Sequence, residues 1–220
     1  MRASISSILT SKWTKVPVFL LCLGPLGYLL WRGWNGRLTA NPIEFITHET
    51  GDWILIFLII TLSVTPARKL LGVPQLIRFR RMFGLFAFFY ACIHFSIFFV
   101  FDHYFDVAAM LADVAERKYI TAGFIGFVLL IPLAITSSAG WIRRLGGKRW
   151  QNLHRLVYIT AAAGVVHFWW LVKSDLTRPT RYGVVVAFLL FYRFAVWLTD
   201  RQVRPQPLRS PSKLSPSGGS

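Results

Sequence analysis

The 220-residue chain is 55% hydrophobic and 16% aromatic but only 15% charged, whereas a soluble domain of this size carries roughly a quarter charged residues. That balance excludes an ordinary soluble globular domain and calls for lipid around the chain. The net charge of +16 does not make it a nucleic-acid binder, because the Lys and Arg residues sit in short clusters between long apolar runs and not along one soluble face.

A bilayer span needs about 20 apolar residues, within a range of about 17–25. Six segments qualify or come close. The first, Val16–Trp31, is read as a retained helix and not a cleaved signal peptide: Trp31 and Trp34 follow it, as at a membrane interface, with no small-residue cleavage site. The second, Asp52–Thr65, is short, so its start is expected upstream, near Ile43 or Phe45. Met82–Phe101, Tyr119–Ser138, Asn152–Val172 and Tyr182–Thr199 complete the set. Cys22 and Cys92 fall within such runs and read as small buried hydrophobes. No CxxC or CxxCH motif occurs, which excludes covalent c-type haem attachment and gives no hint of an iron–sulfur cluster.

The charges between the spans alternate. Arg68, Lys69, Arg78, Arg80 and Arg81 follow the second span, and Arg143, Arg144, Lys148 and Arg149 follow the fourth. Arg201, Arg204, Arg209 and Lys213 follow the sixth. The intervening loops are mixed or acidic, with Glu44, Glu49 and Asp52 in one and Asp102, Asp106, Asp113 and Glu116 in another. The positive-inside rule therefore predicts an all-α, six-helix transmembrane bundle with both termini in the cytoplasm. Residues 1–15 are expected to form a cytoplasmic segment and 16–200 the six-span domain. Residues 201–220, rich in Pro, Ser and Gly, are expected to be a disordered cytoplasmic tail. That tail is expected to be too short for a nucleotide-binding domain, and no GxGxxG or Walker motif appears, so a reductant is expected on a separate molecule.

Histidines carry the chemistry. Ionisable side chains inside a span are costly and usually mark function, and imidazole is a common axial ligand of haem iron. His94 lies 12 residues past Met82, about 18 Å deep, and His167 lies 15 residues past Asn152, about 22 Å deep. Both helices enter from the cytoplasm, so the two imidazoles could clamp one haem in the periplasmic half of the bilayer. His154 shares the predicted fifth span with His167, 13 residues and about 20 Å away. On a straight helix the two would stand about 140° apart in azimuth, which permits a second redox site without requiring it. His48 and His103 fall at the periplasmic edge and read as interfacial, satisfied by water. No HExxH, GxSxG or buried carboxylate cluster supports hydrolytic chemistry. The basic loops have two readings: topology and attraction to anionic lipid, or arginines that also hold haem propionates, a flavin phosphate or a quinone headgroup.

Several of these stretches, in order, resemble the MsrQ (YedZ) family. They are Arg80-Arg81-Met82-Phe83-Gly84-Leu85-Phe86-Ala87 through Tyr90 to His94, and Thr121-Ala122-Gly123-Phe124 leading into Pro132-Leu133-Ala134-Ile135-Thr136-Ser137. Trp150-Gln151-Asn152-Leu153-His154-Arg155-Leu156-Val157-Tyr158, closed by His167, completes the likeness, which covers about Pro42 to Trp197. The resemblance implies a haem-binding inner-membrane subunit of a bacterial protein-methionine-sulfoxide reductase system. Such a subunit passes quinone-pool electrons, or those of a cytoplasmic flavin reductant, to a periplasmic MsrP-like molybdoenzyme that repairs oxidised proteins. It implies b haem, one or two, and FMN, with His94, His154 and His167 as the haem-associated histidines and the catalytic site on the partner. In the wider ferric-reductase-like group each of two helices carries two histidines. Here Arg80 and Arg81 stand where the second histidine of the third span would be, so His154 needs another partner or serves a flavin or quinone site. The alternatives are a stand-alone ferric-reductase-like or b561-like cytochrome with another acceptor, and a cofactor-free transporter.

Overall fold

A computed structural model describes Ser11 and residues 13–202, the side chains of 200–202 excepted. The expected N-terminal segment falls largely outside the described residues, and the expected tail does so from residue 203 on.

Every described element is helical. Helix α1 spans Lys15–Trp34 and α2 spans Pro42–Leu71. The start of α2 at Pro42 meets the expectation that the second span begins upstream. Asn41 caps it by accepting from the Glu44 backbone N–H at 3.3 Å, while its amide donates to the Glu44 carboxylate at 2.9 Å. These bonds satisfy a free N-terminal donor of the helix. Gly72, at φ 65°, ends α2 in the left-handed conformation that glycine adopts without strain. A 3₁₀ turn over Pro74–Leu76 leads into α3, Ile77–Ile97, which continues as a π-helical turn over Phe98–Asp102. A short helix that the hydropathy pattern did not resolve, α4 (Val107–Glu116), follows with Asp106 as its cap. Then come α5 (Lys118–Ile135), α6 (Ala139–Leu145), α7 (Gly147–His154), α8 (Leu156–Leu171) and α9 (Thr177–Gln202).

Five segments among the described residues are long and apolar enough to cross a membrane: Lys15–Trp34, Pro42–Leu71, Pro74–Asp102, Lys118–Ile135 and Thr177–Thr199. The remaining predicted span, Asn152–Val172, is not one helix. Its ladder is interrupted at Arg155, where short-range bonds run from Arg155 N to Asn152 O (3.2 Å) and from Tyr158 N to Arg155 O (3.0 Å). Helix α8 keeps 16 residues, about 24 Å at the helical rise against a hydrocarbon core of about 30 Å. His154 and His167 therefore do not share a single straight helix.

Helix α2 packs mainly on α3, and α5 on α8, with α9 closing against α8 and α2. Leu55, Phe57, Leu58 and Leu62 of α2 meet Phe86, Ala87, Tyr90 and Ala91 of α3. Leu130 and Leu133 of α5, Val157, Ala161 and Val165 of α8, and Val186 and Leu189 of α9 extend the core. The fully buried Tyr90 ties α1 to this core. Its hydroxyl donates to the Cys22 carbonyl (2.9 Å) and accepts from Leu26 N (3.2 Å), entering the α1 ladder beside Pro25. The outer faces are apolar: Leu21, Val184, Phe188 and Phe191 are each more than half exposed, a surface that water would not tolerate over such an area.

The two ends of the bundle differ in charge. Glu44, Glu49, Asp102, Asp106, Asp113, Glu116 and Asp175 belong to one end, with Asp52 inward of them on α2. The turns joining α2 to α3 and α5 to α8, rich in Arg and Lys, form the other.

Candidate cofactor site

A cavity of about 720 Å³ opens among α2, α3, α5 and α8, towards the acidic end. Its volume lies within the range of small-molecule and cofactor pockets, about 300–1,000 Å³. Leu55, Leu58, Phe95, Phe124, Phe127 and Leu130 supply apolar wall, and His94 and His167 project into it from α3 and α8. The two helices that depth estimates paired do bring their imidazoles together. The ring centroids are 6.1 Å apart, with the planes nearly perpendicular at 89°.

Each ring is oriented by a backbone carbonyl. His94 Nδ1 lies 3.0 Å from Thr47 O, with the Thr50 hydroxyl at 3.3 Å, and His167 Nδ1 lies 2.6 Å from Tyr119 O. A carbonyl oxygen can only accept, so Nδ1 of each ring carries the hydrogen and donates it. In a neutral imidazole this leaves the Nε2 lone pair available, the tautomer that metal-bound histidines adopt when a second group holds the other nitrogen.

Two glycines make the fit. A Cβ at Gly123 would stand 2.7 Å from His167 Nδ1 and 3.0 Å from its Cε1. One at Gly51 would stand 3.3 Å from His94 Cε1. Both positions lie inside helices, where glycine costs about 1 kcal/mol relative to alanine, and here the missing side chains admit the rings.

The donor set suits haem. His94 and His167, two imidazoles on one apolar cavity with ring centroids 6.1 Å apart, would be the residues to hold a haem iron. The apolar wall suits a macrocycle, and neutral imidazoles suit an axial role. Among the described residues no cluster of three or more His, Cys, Asp or Glu side chains offers an alternative metal cage.

The other three histidines are not part of this pair, although His48 and His103 line the same cavity. His154 meets the Thr136 hydroxyl through Nε2 at 3.1 Å and stacks on Trp150 at 4.0 Å between ring centroids. Trp150 in turn donates to Thr136 O at 2.8 Å. Its Nε2 therefore faces a hydroxyl, not a second imidazole. His48 lies at the cavity wall with its side chain 41% exposed, 3.9 Å from Glu44. His103 departs from its expected place in interfacial water. Its side chain is only 8% exposed, stands 3.5 Å from Asp113 and packs edge-on against Phe98. The cause is α4, which folds back and brings Asp113 over it.

Sequence reasoning singled out His94 and His167 but not the groups that hold them. Thr47 and Tyr119 act through their backbone carbonyls, which leave no residue-type signal. Gly51 and Gly123 were findable, because a glycine inside an apolar helix signals a close approach.

The comparisons with known proteins show which family the chain belongs to. The family model described as "Ferric reductase like transmembrane component" matches residues 49–165, the stretch that contains His94, His154 and Gly123 and stops short of His167. The chain is 56% identical over 186 residues to the protein-methionine-sulfoxide reductase heme-binding subunit MsrQ of Herminiimonas arsenicoxydans, covering 83% of this chain and 85% of that protein. The MsrQ of Ralstonia nicotianae is 48% identical over 191 residues, covering 86% of this chain and 88% of its own. That of Caulobacter vibrioides is 44% identical over 199 residues, covering 90% of each. With its apolar helices and a transmembrane family match over more than half its length, the chain is a multi-pass membrane protein, and it belongs to the MsrQ family within the ferric-reductase-like transmembrane group.

Proposed function

We propose that the chain binds b haem between His94 and His167 and relays electrons across the bacterial inner membrane to a periplasmic MsrP-like molybdopterin methionine-sulfoxide reductase. The observation that carries this reading is the pair of imidazoles at 6.1 Å, each with its Nδ1 hydrogen committed to a backbone carbonyl. Haem supplies one-electron oxidation and reduction at its iron. The residues do the rest. Thr47 and Tyr119 fix the two rings, Gly51 and Gly123 admit them, and the apolar wall excludes water and lowers the local dielectric, which tunes the potential. His154 is the candidate for a second haem or for a flavin or quinone contact at the basic end.

The topology that goes with this function has six spans, with α8 as the fifth and both termini cytoplasmic, because the basic turns then face the cytoplasm. The cavity then opens towards the periplasm, on the side of the molybdoenzyme. Electrons enter from the quinone pool or from a cytoplasmic flavin reductant, and FMN is the further cofactor expected of the family.

The test reconstitutes the purified chain in proteoliposomes with a quinol, adds the molybdoenzyme and methionine sulfoxide, and follows the haem absorbance. Reoxidation that requires both the molybdoenzyme and the sulfoxide supports the relay. Haem that stays reduced with them but is reoxidised by ferric chelates supports a ferric-reductase-like cytochrome instead.

A further inference from the structure

Tyr104 and Phe105 take positive φ, 48° and 67°, and among the described residues no other non-glycine does so. A bulky side chain in that region is an outlier, and such backbone is costly and gathers at functional sites. The turn is held from several sides. Phe105 N donates to Phe99 O at 3.1 Å, Asp106 N donates to His103 O at 2.8 Å, and the Phe105 ring packs edge-on against Phe99 at 5.5 Å. It follows directly on the π-helical turn Phe98–Asp102, a form that also recurs at functional sites. The outcome is a tyrosine that stands 82% exposed and yet lines the cavity. A ring that only anchored the bundle in lipid would sit on its outer face.

The lining residues that are exposed mark the mouth of the cavity. Besides Tyr104 they include Ile43, Glu44, Phe101, Asp102 and Arg117. Aromatic and apolar surface therefore lies among carboxylates. The charge there is not balanced from within. Arg117 is engaged by Asp113 at 3.1 Å, and the inner Asp52 is engaged by Arg178. Glu44 and Asp102 make no salt bridge to Arg or Lys among the described residues. Asp106, the cap of α4, is exposed two residues past Tyr104.

We propose that this mouth is the docking face for the soluble electron acceptor, which meets Glu44, Asp102 and Asp106 with a Lys- and Arg-rich patch and covers Tyr104 as the anchor. The proposal rests on the relay described above and assigns it a contact surface. One electron passes from the cavity to the oxidised metal centre of the acceptor, with no bond made or broken. Redox partners meet over small interfaces, below about 1,200 Å², and complementary charge steers them together. An aromatic anchor inside a polar rim is the usual energetic centre of such a contact. The charge also selects the occupant. A second copy of this chain, packed through the same face, would set these carboxylates against one another, and anionic lipid headgroups would meet like charge.

The experiment uses the full, haem-loaded chain in nanodiscs and the purified molybdoenzyme. Biolayer interferometry reads binding at rising ionic strength, and stopped flow reads haem reoxidation. The variants are Tyr104→Ala, and Glu44→Gln, Asp102→Asn and Asp106→Asn combined, whose amides keep the shape of the carboxylates. Asp175→Asn, an exposed carboxylate outside the cavity lining, is the control. The wild-type association rate should fall about tenfold or more with added salt, and the combined variant should lose most of that dependence. Tyr104→Ala should raise Kd about fivefold or more, with Asp175→Asn near wild type. Wild-type binding that both variants retain in full overturns the docking face while the relay stands. Wild-type binding indifferent to salt also overturns it, whatever the variants do. A wild type that neither binds the molybdoenzyme nor is reoxidised by it removes the relay, and the docking face with it. A wild-type dimer broken by Tyr104→Ala would give the face to a second copy. A fluorophore at Tyr104→Cys quenched by nitroxide-labelled headgroups would give it to lipid, and either result overturns the proposal.

Discussion

Gly123→Ala is the sharpest perturbation of the cofactor site. The added methyl would stand 2.7 Å from His167 Nδ1, 3.0 Å from Cε1 and 3.1 Å from Cγ. To regain 3.4 Å, the near edge of ordinary contact, the ring must withdraw by about 0.7 Å, as overpacked cores do when they shift. Withdrawal on that scale carries the 2.6 Å bond from Nδ1 to Tyr119 O past about 3.2 Å, the edge of useful N–H···O geometry. Loss of such an orienting bond lowers metal-site affinity about 10–100-fold, or about 1.4–2.7 kcal/mol. Helix propensity works the other way, since alanine in a helix interior is favoured over glycine by about 1 kcal/mol, so the fold itself should survive. The control is Gly84→Ala in α3, outside the cavity lining, whose new Cβ meets Thr61 Cγ2 at an ordinary 3.7 Å. The assay is titration of haem-depleted protein with haemin, with pyridine-haem quantitation of what is retained. Gly123→Ala is expected to bind about 10–100-fold more weakly, with Gly84→Ala near wild type. Equal affinity of Gly123→Ala and wild type would refute the argument that this close approach sets the ligand.

Tyr90→Phe should loosen α1 from the bundle by about 0.6–1.7 kcal/mol, the span measured for interhelical hydrogen bonds in membranes, because it removes the bonds to Cys22 O and Leu26 N. Unfolding in mixed detergent measures this, and an unchanged midpoint would deny the hydroxyl its role. Gly51→Ala meets His94 Cε1 at 3.3 Å, not 2.7 Å, so its effect on haem titration should be in the same direction as Gly123→Ala but smaller; a larger effect would reverse the ranking drawn from the distances. A topology reporter fused after Gln202 should be active in the cytoplasm, and one placed at Tyr104 in the periplasm. Periplasmic activity after Gln202 would invert the orientation.

Much of the fold is legible in the sequence because lipid imposes a coarse code. Apolar runs of span length and alternating basic loops were enough to place the long helices near their observed positions, with Asn41 and Pro42 marking the start of α2. The break at Arg155 was not legible, since nothing in Leu153-His154-Arg155-Leu156 breaks a helix by residue type. It follows from packing, with Trp150 and Thr136 holding His154 on one side. The short α4 was hidden because ten residues fall below the length of a span. His94 and His167 were paired by counting rise along two helices, which works because α3 and α8 enter from the same end. The carbonyl partners and the buried His103 depend on which helices become neighbours, and that information lies in three dimensions.

The central claim is that His94 and His167 hold b haem. The most direct measurement is a reduced-minus-oxidised absorption spectrum with pyridine-haem stoichiometry, taken on purified wild-type, His94→Ala and His167→Ala proteins. The account predicts a b-type spectrum in wild type and complete loss of the haem held by this pair in each variant. A colourless wild type that takes up no added haemin, or two variants that keep the full wild-type spectrum and stoichiometry, would contradict it.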